Sequence, residues 1–152
     1  MIIRPATVAD VEVLAALHAL CFAAPWSASE LATLLATPGA SALMAEDAES
    51  PAGWVMIRRA ADEAEVLTLA IAPGHRRRGV GRALLRAACA SATAQGAGRM
   101  LLEVAGDNAA AARLYASERF EAVGTRPAYY VRAGGGAADA VVLSRPLNRA
   151  GA

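Results

Sequence analysis

The chain has few aromatic side chains, few cysteines and almost no net charge. Of its 152 residues, 5% are Phe, Trp or Tyr, two are Cys and two are His. Fifteen basic and fourteen acidic residues leave a formal charge of +1, whereas a nucleic-acid-binding domain is usually strongly basic. The 56% hydrophobic content excludes disorder, which requires low hydrophobicity and high net charge. We therefore expect a compact α/β protein with no nucleic-acid partner.

The two cysteines, Cys21 and Cys89, do not have the spacing of a metal site, and both lie in apolar, helix-like stretches. We expect them to be buried free thiols and expect no bound metal. The N-terminus lacks the charged and apolar regions of a signal peptide, and no apolar run approaches the length of a membrane span. These features predict a soluble, cytoplasmic protein without a membrane partner, folded as a single domain over residues 1–152.

Hydrophobic periodicity divides the chain into seven strands and four helices, in the order β α α βββ α β α β β. Thr7 and Ser27 are suited to cap the first two helices. The long third helix, about 79–95, is predicted to turn Val80, Leu84, Ala87 and Ser91 inward. The predicted strands are 2–4, 41–46, 53–59, 65–72, 99–104, 120–124 and 140–144.

An Arg- and Gly-rich segment, residues 72–82, connects the fourth strand to the long helix; we call it the Arg–Gly turn. A helix N-terminus presents unpaired N–H groups and a partial positive charge, and glycines let a ligand approach the backbone closely. Arginines add charge-assisted hydrogen bonds. The segment therefore predicts a pyrophosphate site, formed by Arg76, Arg77, Arg78, Gly79, Val80, Gly81 and Arg82.

Two other glycine-rich phosphate motifs do not fit this turn. A phosphate loop requires Gly-Lys-Ser/Thr, but Gly81 is followed by Arg82 and Ala83. A dinucleotide fingerprint requires a third glycine where this chain has Leu84. By itself the turn also fits a basic helix start whose arginines are merely solvated.

Glu103 lies within the apolar run from Met100 to Val104. A carboxylate on a buried strand costs free energy unless it has a partner or a chemical role. Either explanation is open from the residues alone.

These pieces together match a known family. Arg76-x-x-Gly79-x-Gly81, after a strand ending Ala-Ile-Ala-Pro, resembles the acyl-CoA signature of the GNAT N-acetyltransferases. Further segments resemble the bacterial ribosomal-protein-alanine N-acetyltransferase branch of that superfamily, and the resemblance covers nearly the whole chain. It implies a mixed central sheet of about seven strands flanked by about four helices. The further segments are Pro25-Trp26-Ser27, Leu102-Glu103-Val104, Asn108 to Ala111, Leu114-Tyr115, Tyr129-Tyr130 and Asp139-Ala140.

The resemblance also implies roles for individual residues. Glu103 becomes the general base, acting through water, and Tyr115 protonates the departing sulfur of coenzyme A. Asn108 contacts the pantetheine or phosphate region of acetyl-CoA. The pantetheine arm pairs with the backbone of a splayed strand edge at Leu69, Ala70 and Ile71.

The implied acceptor is the N-terminal amine of a protein, with the N-terminal alanine of a small-subunit ribosomal protein favoured. A small-molecule amine, another protein N-terminus and a non-catalytic acyl-CoA-binding module are the alternatives. Trp26, Tyr129 and Tyr130 are candidates for the acceptor groove.

The chain departs from the family pattern in two places. Arg119 stands where a glycine usually precedes Phe120, so either Arg119 adopts a left-handed conformation or the helix ends differently. The loop over residues 131–138 is rich in Gly and Ala, and we expect it to border the acceptor.

Overall fold

The computed structural model describes residues 1–131 and 136–148, which form one mixed seven-stranded sheet with helices on both faces. The strands are β1 Ile2–Ala6, β2 Ala40–Asp47, β3 Ser50–Ala60, β4 Glu63–Ile71, β5 Arg99–Ala105, β6 Glu121–Val131 and β7 Ala137–Pro146. The helices are α1 Val11–Cys21, α2 Ala28–Leu35, α3 Val80–Ala94 and α4 Ala109–Ser117, with 3-10 turns at Val8–Asp10 and Pro73–His75.

The sheet order is β1-β2-β3-β4-β5-β7-β6. Every neighbouring pair is antiparallel except β4 and β5, which are parallel and are joined through α3. This crossover follows the general rule that parallel neighbours need a long, usually helical connection. The predicted fold class and element order are confirmed.

Local capping sets the start of the first two helices, as predicted. Thr7 accepts a hydrogen bond from the N–H of Ala9, and Asp10 accepts one from the N–H of Thr7. The cap therefore begins the 3-10 turn that leads into α1. Ser27 and Glu30 form a reciprocal pair of 3.1 Å bonds at the start of α2, a capping box that satisfies two otherwise unpaired donors.

The core has two layers, one on each face of the sheet. One layer packs α3 and α4 on β5 around residues such as Leu84, Leu102 and Tyr115. The other packs α1 and α2 against β2 and β3, with Trp54 fully buried. The predicted inward stripe of α3 was partly wrong, because beyond Leu84 the buried face drifts one position along the helix. Its buried residues are Val80, Leu84, Leu85, Ala88, Cys89 and Ala92.

Strand β6 is longer than the sequence suggested. The sequence indicated only that residues 120–124 begin a strand, and β6 continues through Pro127 to Val131. It lies at the sheet edge, where a proline's missing N–H breaks no ladder. The register of β6 and β7 shifts between Arg126 and Tyr130, a bulge in which Ala128 has a φ of 51°. Of the predicted loop 131–138, residues 132–135 lie outside the described residues.

The two cysteines are free, as expected; Cys89 is buried, whereas Cys21 is only partly so. Within residues 1–131 and 136–148, no helix has the length and apolarity that a membrane crossing requires. Nor does this part of the chain group three or more His, Cys, Asp or Glu side chains closely enough to hold a metal ion.

His18 lies on α1, and its two ring nitrogens connect this helix to two other parts of the chain. One is the segment that precedes α2, and the other is strand β4. The backbone N–H of Trp26 donates to Nδ1 at 3.1 Å, so Nε2 carries the proton and donates to Thr68 Oγ1, also at 3.1 Å. The ring is 3% exposed and stacks on Phe22 and Trp26. This burial lowers the pKa of His18 below its usual value of 6.5.

We expect the protein to lose stability as pH falls below 6.5. Below pH 6.5, His18 becomes protonated in the unfolded chain but not yet in the folded protein, where its pKa is lower. The stability present above pH 6.5 is therefore lost as the pH falls toward the pKa of the folded protein. Denaturant unfolding at pH 5 and pH 8 measures the effect. His18→Gln should flatten the pH dependence; equal slopes in the wild type and His18→Gln would contradict the assignment.

Arg119 adopts the left-handed conformation that the sequence left open, with a φ of 68°. The Phe120 N–H donates to the Tyr115 carbonyl and the Arg119 N–H donates to the Ala116 carbonyl, which together form a Schellman cap at the end of α4. The rings of Tyr115 and Phe120 meet edge to face at 6.0 Å and supply its apolar contact.

Arg119→Gly should stabilise the fold. Glycine removes the left-handed strain but adds freedom to the unfolded chain, for a net gain of about 0.5–1 kcal/mol. A thermal midpoint higher by about 2 °C is the expected reading. Arg119→Ala keeps the strain and serves as the control. If the Ala and Gly variants melt together, the left-handed conformation carries no measurable cost.

Candidate active site

The sheet opens between its two parallel strands. β4 and β5 pair only from Glu63 to Glu65 and from Arg99 to Leu101, and the strands then separate over residues 66–71 and 102–105. The register between β3 and β4 shifts at this point, because Val66 and Thr68 lie opposite consecutive residues of β3. This shift directs β4 away from β5. We call this gap the opening. Leu69, Ala70 and Ile71 lie along its β4 side, as the predicted splayed edge requires.

Polar backbone groups of β4 face the opening. The Ala72 N–H donates to Ala52 on the β3 side, so the strand alternation turns the groups of Leu69 and Ile71 toward β5. The Ile71 carbonyl there accepts from Arg76 Nε at 3.3 Å and from the Cys21 thiol at 3.2 Å. The edge therefore offers hydrogen-bonding groups to an extended molecule placed between the strands.

The Arg–Gly turn ends in an uncapped helix N-terminus. No side chain caps Gly79, and the first turn of α3 contains no acidic residue. The first hydrogen bond of α3 runs from the Ala83 N–H to the Gly79 carbonyl, which leaves the N–H groups of residues 80–82 without partners inside the helix. Arg77 and Gly79 have φ values of 62° and 79°, so the chain bends sharply just before these donors.

The arginine side chains of the turn do not converge on this N-terminus. Arg76 extends to the Ile71 carbonyl and to Cys21 Sγ. Arg82 donates to Ser117 Oγ at 3.0 Å and lies along α4. Arg77 and Arg78 are exposed. The anion-binding character of the turn therefore comes mainly from backbone N–H groups.

Glu103 lies on β5 at the opening. Alternation along β5 buries Leu102 and Val104 against α3 and α4, so Glu103 points to the opposite face of the sheet. Its side chain is 24% exposed and lies 3.2 Å from Arg126 Nη2. The sequence left open whether Glu103 has a partner or a chemical role. The structure shows that it has a partner, Arg126, and that its carboxylate is also accessible at the opening.

Sequence reasoning did not identify Arg126 as a site residue. Its guanidinium lies between Glu103 and Tyr129, 5.3 Å from the centre of the Tyr129 ring. Tyr129 stands edge-on to Tyr130, and Asp139 fixes the bulge by accepting the Ala128 N–H at 2.8 Å. The end of β6 thus places a cation beside Glu103 and two phenol rings next to that cation.

Tyr115 lies on the other face. It is 8% exposed and belongs to the same core layer as Leu102 and Val104. Burial, with a smaller contribution from Tyr130, raises the pKa of the Tyr115 hydroxyl, so it is protonated at neutral pH and able to donate. Glu103 and Tyr115 therefore lie on opposite faces of β5.

Asn108 caps α4. Its Oδ1 accepts the Ala111 N–H at 3.2 Å, so its side-chain amide nitrogen is available at the helix start. Gly81 is closely packed, since an added Cβ would lie 3.4 Å from Leu114 and 3.7 Å from Ile71. An added Cβ on Gly79 would meet nothing within 4 Å. The turn therefore has open space beside its free N–H groups.

An acyl-CoA fits this arrangement. Its extended arm matches the unpaired backbone edge along β4, and its pyrophosphate matches the uncapped α3 N-terminus beside open space. The helix N-terminus beside the splayed parallel pair is therefore the candidate ligand-binding site of this α/β protein.

Comparison with known proteins gives the family. Residues 11–120 match the Acetyltransferase (GNAT) family, and the chain belongs to it. An uncharacterized protein of Mycobacterium leprae is 37% identical over 95% of this chain, which spans only 40% of that protein's length. The N-alpha-acetyltransferase RimI of Mycobacterium tuberculosis is 35% identical over 91% of this chain and 88% of its own.

The third relative is the Escherichia coli ribosomal protein bS18-alanine N-acetyltransferase. Its sequence is 36% identical over 57% of this chain and 58% of its own length. Its crystal structure superposes with a TM-score of 0.90 at 27% identity, covering 99% of this chain and 96% of that one. The fold and the family resemblance expected from the sequence are confirmed.

Proposed function

We propose that the protein transfers the acetyl group of acetyl-CoA directly to the N-terminal amine of a protein, and that the N-terminal alanine of a small-subunit ribosomal protein is its acceptor. The observation that carries the transfer reaction is the accessible Glu103 carboxylate at the opening, with a protonated Tyr115 in the core layer on the other face of β5. The RimI and bS18-alanine N-acetyltransferase relatives support the acceptor.

The residues divide the binding and the chemistry between them. The backbone of Leu69, Ala70 and Ile71 holds the pantetheine arm, and residues 76–82 hold the pyrophosphate. The amide of Asn108 adds a contact near the start of α4. Acetyl-CoA supplies the thioester whose acyl carbon the amine attacks.

Glu103 and Tyr115 handle the protons. An α-amine with a pKa of about 8 is mostly protonated at neutral pH and cannot attack. Glu103 takes its proton, through a water molecule, on the acceptor face. Tyr115, protonated and buried on the other face, donates a proton to the departing sulfur. The protonated amine and Arg126 compete for the one carboxylate of Glu103. When the amine arrives, Arg126 must therefore move away or bind the carboxylate together with the amine.

Mass spectrometry of peptides tests the acceptor. A peptide with the N-terminal sequence of the ribosomal protein S18 from the same organism should gain one acetyl group at its α-amine. The same peptide with a blocked N-terminus and a free lysine is the control. The absence of transfer at high enzyme concentration would refute the acceptor assignment.

A small-molecule amine is the second candidate acceptor, since the site contains no described feature that excludes a free amine. Coenzyme A release measured across a panel of peptides, amino acids and small amines separates the two. A non-catalytic acyl-CoA-binding module would be stabilised by acetyl-CoA but release no coenzyme A with any of them.

A further inference from the structure

A charged pocket lies outside the site described above, between α3, the end of α4 and β7. Its lining residues are Arg86, Glu118, Arg119 and Arg145, and its volume is about 270 Å³. None of them belongs to the opening or to the Arg–Gly turn.

The pocket contains more positive than negative charge. Arg86 binds both carboxylate oxygens of Glu118, at 2.5 and 3.2 Å. Glu118 is 6% exposed, and hydrogen bonding from Arg86 holds its pKa below the usual range. Arg86 thus neutralises the one carboxylate, and Arg82 of the Arg–Gly turn also lies 4.0 Å from Glu118. Arg119 and Arg145 form no ion pair with a carboxylate of the described residues, so the lining has an excess of two positive charges.

The backbone at Arg119 gives independent support for a ligand. Its left-handed conformation disfavours any residue with a β-carbon, and glycine would satisfy the same Schellman cap without strain. The chain nevertheless has an arginine there, and its side chain lines the pocket. Backbone strain of this kind is concentrated at functional sites.

We propose that this pocket binds a phosphate group. Guanidinium groups match phosphate oxygens with paired N–H donors, and Arg119 and Arg145 have donors that no described carboxylate occupies. The volume lies below the roughly 300–1,000 Å³ of pockets that enclose drug-sized ligands, so a single phosphate group suits it better than a large one.

The phosphate group has two possible sources. One is inorganic phosphate or another free phosphomonoester. The other is the 3′-phosphate of coenzyme A, since Arg86 lies six residues after the first residue of α3, a rise of about 9 Å. The pocket is argued from its own residues and does not depend on the proposed acceptor.

The test is a phosphate titration at constant ionic strength, read as the thermal midpoint of protein saturated with coenzyme A. The cofactor occupies the Arg–Gly turn, so phosphate cannot act there. We expect Arg119→Gly and Arg145→Met each to raise the phosphate concentration needed for a half-maximal shift of the midpoint by about tenfold. This is the loss of affinity expected when one charge-assisted hydrogen bond is removed. Arg113→Met, which removes an exposed arginine of α4 outside the pocket, is the matched control and should behave as wild type.

Repeating the titration with dephospho-coenzyme A identifies the source. A response present with both cofactors indicates free phosphate. A response that appears only with dephospho-coenzyme A, and is weakened in both variants, indicates that the cofactor's 3′-phosphate fills the pocket. The proposal is overturned if phosphate acts with neither cofactor or acts equally on wild type and both variants. If coenzyme A fails to bind, the proposed function fails, but the two variants still test the pocket in the free protein.

Discussion

Glu103→Gln is expected to lower kcat by about 10²–10⁴-fold, the usual contribution of a positioned general base. Glutamine keeps the size of the side chain and its hydrogen bonding but cannot accept a proton from the amine. The KM for acetyl-CoA should change little, because the proposed donor contacts lie on β4 and α3. Steady-state kinetics with a peptide acceptor measures both parameters.

Glu65→Gln is the matched control for this variant. Glu65 lies on β4 where β4 and β5 are still paired, so its loss removes a carboxylate without touching the opening. The ion pair between Glu103 and Arg126 is partly exposed, and such pairs contribute about 0–1 kcal/mol to stability. Thermal unfolding should therefore show a folded Glu103→Gln protein. Full activity in that protein would rule out Glu103 as the base.

Tyr115→Phe should lower kcat by about 10²-fold or more, because the departing thiolate loses its proton donor. The ring stays in the core and keeps its edge contact with Phe120. The loss should therefore appear in kcat while the fold and the affinity for acetyl-CoA are largely retained.

Tyr129→Phe provides the comparison for a tyrosine on the acceptor side. Tyr129 is 53% exposed, and its phenol contacts Arg126 through the ring face rather than the hydroxyl. Removing that hydroxyl should leave kcat within about threefold of wild type, since it removes no proton donor. If Tyr115→Phe were as active as Tyr129→Phe, the sulfur would be protonated by another group, such as water.

Features that depend on neighbouring residues could be predicted from the sequence. The caps at Thr7 and Ser27 and the turn before α3 use side chains and backbone within a few positions, so their patterns are visible locally. The position of Glu103 within an apolar strand could also be predicted, whereas its direction became clear only from the burial of Leu102 and Val104 on either side. Comparing Arg119 with the pattern expected at a helix end left two possibilities open, and the structure shows the left-handed conformation.

Features made by distant segments could not be predicted in the same way. Arg126 meets Glu103 because β7 pairs with both β5 and β6, and no local pattern in the sequence shows this pairing. The residues around the register shift near Val66 give no sign of it, and only the family resemblance implied a splayed edge there. Cys21 and Arg76 meet at one carbonyl although 55 positions separate them.

The opening gives the sheet an interior edge, with strand backbone left unpaired in the middle of the molecule rather than at its margin. Exposed edges invite another chain to add a strand, which is a common route to aggregation. Here α1 contacts β4 on one face and α3 contacts it on the other, and β5 bounds the far side. A slender, extended molecule can enter between the strands, but the flanking helices leave no room for a second β-sheet to extend this one.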